Sequence, residues 1–169
     1  SFEMARFCLT VDMSFKKKFL QMDWDKTIMG GEHAGKSLAW LICFNVAPRQ
    51  LVLTDAALRD KLLSSNWDAA PESGVNAGIS LAWLISSAPD HSQLVLTDEA
   101  FRGKLLSCNW DVTPESGMSA GKSLAWVMMC VEAANVQLVL TDEALRGKLL
   151  LSNWDVAPES GRDAGISLA

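Results

Sequence analysis

The segment Gly30-Gly31-Glu32-His33-Ala34-Gly35-Lys36-Ser37 fits the pattern G-x-x-x-x-G-K-[ST], in which backbone amides cradle phosphate oxygens and the lysine balances their charge. Its counterparts along the chain do not keep the pattern. Ile79 and Ile166 stand where the lysine should be, and Gly117 to Ser123 is one residue short. A phosphate loop also follows a buried strand of a parallel sheet, and no βαβ pattern is present. The segment therefore reads as the start of a helix in a repeating unit, with a nucleotide-binding enzyme using Gly30 to Ser37 as the alternative. Carboxylates recur as Asp68 with Glu72, Asp111 with Glu115 and Asp155 with Glu159. Such pairs can do acid/base work or hold a cation. Catalytic sites are usually singular, however, and equal copies in every unit point to helix caps or satisfied loop amides. His33 and His91 occupy non-equivalent positions, so no Ser/His/Asp or Cys/His set can be assembled. Cys8, Cys43, Cys108 and Cys130 lack CxxC spacing and read as reduced thiols of a cytosol-like compartment. No catalytic residue, metal ligand or cofactor is expected.

The elements that position these residues are copies of one motif of about 43 residues. Ser-Leu-Ala-Trp recurs at Ser37, Ser80 and Ser123, Gln-Leu-Val-Leu-Thr-Asp at Gln50, Gln93 and Gln137, and Asn-Trp-Asp at Asn66, Asn109 and Asn153. Gln93 to Ala125 and Gln137 to Ala169 share 26 of 33 positions, whereas the linkers 84–92 and 127–136 before them share little. Each unit thus has a fixed block and a free segment. Residues 7–33 read as a degenerate half-unit, 34–76, 77–119 and 120–163 as full units, and 164–169 as the start of the next, the whole being one repeat domain cut from a longer protein. All seven tryptophans fall at two repeat positions: Trp24, Trp67, Trp110 and Trp154 at one, Trp40, Trp83 and Trp126 at the other. Large aromatics at fixed phase are what stacked units bury between them. The last six of these are expected to form a structural core.

Within a unit, Leu38, Leu41 and Ile42 lie at helical spacing between Gly35 and Pro48, which predicts a first helix. A further helix is expected from Asp55 to about Ser65, with Leu58, Leu62 and Leu63 on one stripe and Thr54, Thr97 and Thr141 as the N-caps of this helix in its three copies. Between them the Leu-Val-Leu run cannot be assigned by periodicity, and a short helix is the expectation. Asn-Trp-Asp-x-x-Pro-Glu-Ser-Gly then forms a long connecting loop. The expected fold is an all-α tandem-repeat solenoid with two or three helices per unit. A WD40-like set of β repeats is the alternative, suggested by Trp-Asp at this period.

A net charge of −5 removes the broad basic surface that non-specific phosphate binding needs, so nucleic acid is not expected as a partner. The longest apolar stretches, 37–43 and 125–131, fall short of the roughly 18 residues that span a bilayer, and no membrane association is expected.

Gly-Lys/Ile-Ser-Leu-Ala-Trp-Leu-Ile at the start of the first helix resembles the Gly-x-Thr-Pro-Leu-His-x-Ala opening of ankyrin repeats, with the long loop standing where the ankyrin hairpin would be. It departs from that pattern in lacking the Thr-Pro-Leu-His tetrapeptide and in its longer unit, a length that is also similar to armadillo and HEAT units. Trp-rich, extended ankyrin-like units are similar to segments of effector proteins from intracellular bacterial pathogens. That resemblance implies a protein-binding scaffold, cytoplasmic or delivered into a host cytosol. The expected partner is another protein, with self-association through exposed unit ends. A purely structural spacer is the third reading. Recognition is expected where the units differ, at Phe44, Arg49, His91 and Ser92 in the inter-helix linker and at Val75, Asn76, Met118, Ser119, Arg162 and Asp163 in the loop.

Overall fold

The computed structural model describes residues 13–31, 33–114, 119–130, 133–155 and Gly165. Among them the secondary structure is helical: α1 (Met13–Gln21), α2 (Leu38–Phe44), α3 (Val46–Thr54), α4 (Ala56–Ser64), α5 (Leu81–Ser86), α6 (Pro89–Thr97), α7 (Glu99–Ser107), α8 (Leu124–Cys130), α9 (Ala133–Thr141) and α10 (Glu143–Leu150). The sole β pairing among the described residues is an isolated bridge between Thr27 and Ser37. This overturns the WD40-like alternative, since a propeller blade needs four strands where each full unit here has three helices. The Leu-Val-Leu run lies in the middle helix, and α2–α4, α5–α7 and α8–α10 repeat the same order.

Helices this short cannot stand alone in water, so caps and packing must hold them. Ser37, Ser80 and Ser123 accept hydrogen bonds from the amides of Trp40, Trp83 and Trp126 at 3.1 Å, which starts the first helix of each unit. At the third helix the structure corrects the expected cap. Asp55, Asp98 and Asp142 hold it, accepting from Leu58, Phe101 and Leu145. Thr54, Thr97 and Thr141 instead close the preceding helix, and their hydroxyls donate back to the carbonyls of Gln50, Gln93 and Gln137 at 2.8–2.9 Å. The physical reason lies in the backbone: the aspartates, not the threonines, adopt the extended conformation a cap requires, with φ −85° and ψ 121° at Asp55.

Equivalent helices touch from one unit to the next. α2 packs on α5 and α5 on α8, α6 packs on α9, and α1, α4, α7 and α10 contact one another in sequence. Phe19, Leu58, Phe101 and Leu145 are buried in that last column, and Trp24, Trp67 and Trp110 are each 1% exposed beneath it. Trp154 is half-buried. The indoles of all four donate to a carbonyl five residues upstream, from Trp24 to Phe19, Trp67 to Leu62, Trp110 to Leu105 and Trp154 to Leu149, at 2.9–3.1 Å. One side chain thus fills the core and gives a second donor to a carbonyl at the helix C-terminus, which also accepts the backbone amide three residues on. At the other tryptophan position Trp40 and Trp126 are buried, while Trp83 is only half-buried. Lys36 and Lys122 lie over the first two rings at 5.4 and 5.1 Å, and Ile79 takes the lysine position beside Trp83.

Candidate functional site

Three sets of bonds recur at the repeat spacing. Lys16 pairs with Asp55, Arg59 with Asp98 at 2.6 Å and Arg102 with Asp142 at 2.7 Å, each basic group reaching the cap aspartate of the following unit. The carboxylates of Asp25, Asp68 and Asp111 accept from the amides of Asn66, Asn109 and Asn153 at 2.7–2.8 Å. The amides of Ala39, Ala82 and Ala125 donate to the carbonyls of Trp24, Trp67 and Trp110. The Trp-Asp carboxylates are therefore acceptors joining one unit to the next. Glu115 and Glu159, their expected companions, lie outside the described residues, as do Met118, Arg162 and Asp163.

Hydrogen bonding from Lys16, the largest contributor, holds the Asp55 carboxyl below the usual carboxylate range, with the Leu58 amide helping to outweigh burial, which pushes it up. At Asp98 burial pushes the carboxyl up, but the Phe101 amide and the Arg59 guanidinium outweigh it and the net shift is downward. Burial pushes the thiols of Cys43 and Cys108 up to about 12, so neither supplies a thiolate near neutral pH. No group of three His, Cys, Asp or Glu side chains among the described residues is placed to hold a metal.

The Gly30 to Ser37 segment is folded back on itself. The Ala34 amide donates to Gly31, Gly35 to Ile28 and Lys36 to His33, and the Ile28 amide returns a bond to the Lys36 carbonyl. Three amides that a phosphate loop would point at its ligand are thus engaged with carbonyls, and the Lys36 ammonium faces the Trp40 ring. Gly31 and Gly35 have φ near +78°, which serves this tight turn. A cavity of about 400 Å³ beside it is lined in part by Thr27, Met29, Gly35 and Glu72, and a carboxylate there repels phosphate.

The recognition residues expected from sequence variation fall into different environments. Phe44 is 49% exposed and stacks on Trp40 with centroids 5.0 Å apart, and Val75 is 72% exposed with Asn76 half-buried beside it. Arg49, Ser92 and Ser119 are buried. His91 lies in α6, with its side chain outside the described ones. Burial leaves Phe44, Val75 and Asn76 as the described members with surface to offer.

Sequence reasoning named Arg49 and Trp83 but did not show that polar groups are enclosed in the first and second helices. Arg49 Nε, Trp83 Nε1, Ser86 Oγ and both amide atoms of Asn135 are buried without a hydrogen-bond partner. Ser86 and Asn135 fall inside the variable segments, so variability itself was the available signal, but burial was not legible from it.

No family model matches this chain, and neither a curated protein nor a solved structure matches it.

Proposed function

We propose that the chain is an α-solenoid of three-helix units and acts as a protein-binding scaffold rather than an enzyme. The observation that carries this reading is the recurrence of one bonding pattern between successive units: a basic side chain on the next cap aspartate, and a Trp-Asp carboxylate on the next asparagine amide. Units that interact mainly with their neighbours stack into an extended surface whose variable positions align along an edge. A catalytic centre would need a singular cluster of perturbed groups. The perturbed carboxylates here belong instead to the repeated pairs, and the buried thiols are raised out of reactive range. The engaged amides of the Gly30 to Ser37 turn support the same choice.

Two measurements on the purified chain test the reading. Titration calorimetry with ATP and Mg²⁺ should give no saturable heat, and saturable binding lost in Lys36→Ala would restore the nucleotide alternative. Partners recovered by affinity capture should protect amides around 44–49 and 75–76 from hydrogen exchange, and the double variant Phe44→Ser, Val75→Ser should lose them. Protection confined to the repeated loops would contradict recognition at the variable positions.

A further inference from the structure

We propose that the α2–α3 junction is a receptor for a carboxylate carried beside an apolar residue on a partner protein, with Arg49 as its anion clamp; this rests on the scaffold reading and names the chemistry of what the scaffold holds. Arg49 is the fourth residue of α3, and side chains on a helix lean toward its N-terminus. Its Nη1 donates to the Cys43 carbonyl at 3.2 Å, which lays the guanidinium across the turn between the two helices. The group is 6% exposed, its Nε has no partner, and no carboxylate among the described residues pairs with it. A buried cation without a counter-charge is an unfavourable arrangement that an incoming anion relieves.

The helix end adds to the demand. The nine-residue α3 has no side-chain cap: the Asn45 side-chain Nδ2 donates to the Leu41 carbonyl at 3.1 Å instead of the side chain capping the helix. The positive end of the α3 dipole lies beside Arg49, whose Nη1 is set against the C-terminal carbonyls of α2, so the unpaired Nε edge is the part of the guanidinium left to an anion. The third helix of each unit differs, because an aspartate already stands at that end of α4, α7 and α10. α6 also lacks a side-chain cap, but uncharged Ser92 takes the place of Arg49 there, so the charged junction belongs to the first full unit.

The surroundings set the rest of the ligand. Phe44, held against Trp40, and Val46, 55% exposed, flank the turn with apolar surface. An aromatic and an arginine are the side chains that most often dominate a protein interface. With Nη1 engaged, the Nε and Nη2 edge is the face that accepts a planar carboxylate in two parallel bonds. One guanidinium edge takes one carboxylate, and the apolar flanks of Phe44 and Val46 suit an aspartate or glutamate carried on a peptide rather than a free anion.

The test is a nitrogen-15 NMR titration of the full chain with the peptide acetyl-Phe-Asp-Leu-amide against acetyl-Phe-Asn-Leu-amide. The aspartate peptide should shift the Arg49 Nε–H and the amides of Phe44 and Val46. Affinity should fall about tenfold or more for the asparagine peptide, for Arg49→Gln and at high salt. Should Arg49→Gln fail to fold, the surface variant Phe44→Ser keeps the helical spectrum and must also weaken the shifts. Equal response to both peptides, no response, or inorganic phosphate producing the same shifts more strongly than the peptide would overturn the proposal. In the same sample, a contact between the Asn109 amide and Asp68 reports the unit-to-unit bonds. Its presence without a peptide response defeats the receptor alone, and its absence defeats the scaffold reading.

Discussion

The column formed by α1, α4, α7 and α10 and the paired first and second helices beside it solve the same problem of short helices in different ways. In the column the buried hydroxyls of Ser65 and Ser152 and the Cys108 thiol donate to helix carbonyls four residues upstream, and the indole below each helix end takes another. In the paired helices Arg49, Trp83, Ser86 and Asn135 keep buried atoms without partners. Apart from Trp83, the recurrent residues sit where polar groups are satisfied and units are bonded together. Among the variable ones, Arg49, Ser86 and Asn135 keep polar groups open, and those groups cost stability that a ligand or ordered water can return.

The largest effect should come from the column. Trp110→Ala removes a fully buried indole and its bond to Leu105, and should cost about 3–5 kcal/mol in urea unfolding. Trp83→Ala, half-buried and with its Nε1 unpaired, should cost clearly less. Equal losses at the two would erase the distinction between the regions.

Gly78→Ala comes next. Gly78 has φ +76°, and a Cβ there would stand 2.5 Å from the Cα of Pro114, in the connecting loop at the other end of the same unit. Left-handed strain and overpacking together should cost about 2–4 kcal/mol. Gly103→Ala, in α7 with open space around its Cβ position, should instead stabilise by about 0.5–1 kcal/mol. Thermal unfolding of the two variants checks the opposite signs.

Much of this was legible in the sequence. The period, the helical class, the first helix and the burial of Trp40, Trp67, Trp110 and Trp126 follow from recurrence and apolar spacing. The Thr-Asp step was not legible, because both residues cap helices well and only the backbone turn decides which one is outside the helix. Nor could variability separate the exposed Phe44 and Val75 from the enclosed Arg49, Ser92 and Ser119. A residue can vary because it is unconstrained or because its unit packs it differently, and the spacing is the same in both cases.

The ion pairs should give smaller effects. Asp98→Ala loses a cap and a pair and should cost about 1–2 kcal/mol, whereas Arg59→Ala, on a partly exposed pair, should cost at most about 1 kcal/mol. Asp55 and Asp98 titrate lower folded than unfolded. Their contribution is therefore complete above the unfolded value near 4 and is lost as pH falls through the lower folded values. The difference between the chain and Arg59→Ala in urea should be present at pH 7 and shrink as pH falls below the unfolded carboxylate value of about 4. A difference that grows in acid would contradict the assignment. Val75→Ser, on exposed surface, should stay within about 0.5 kcal/mol.

The central claim is that the same contacts join every successive pair of units. A nuclear Overhauser spectrum of the full chain reads it directly, through the amides of Asn66, Asn109 and Asn153 and the side-chain protons of Asp25, Asp68 and Asp111. The account predicts a cross-peak for all three pairs, together with one between the Trp40 indole N–H and Ile79. A well-dispersed spectrum of a folded, helical chain in which these cross-peaks are missing would contradict it.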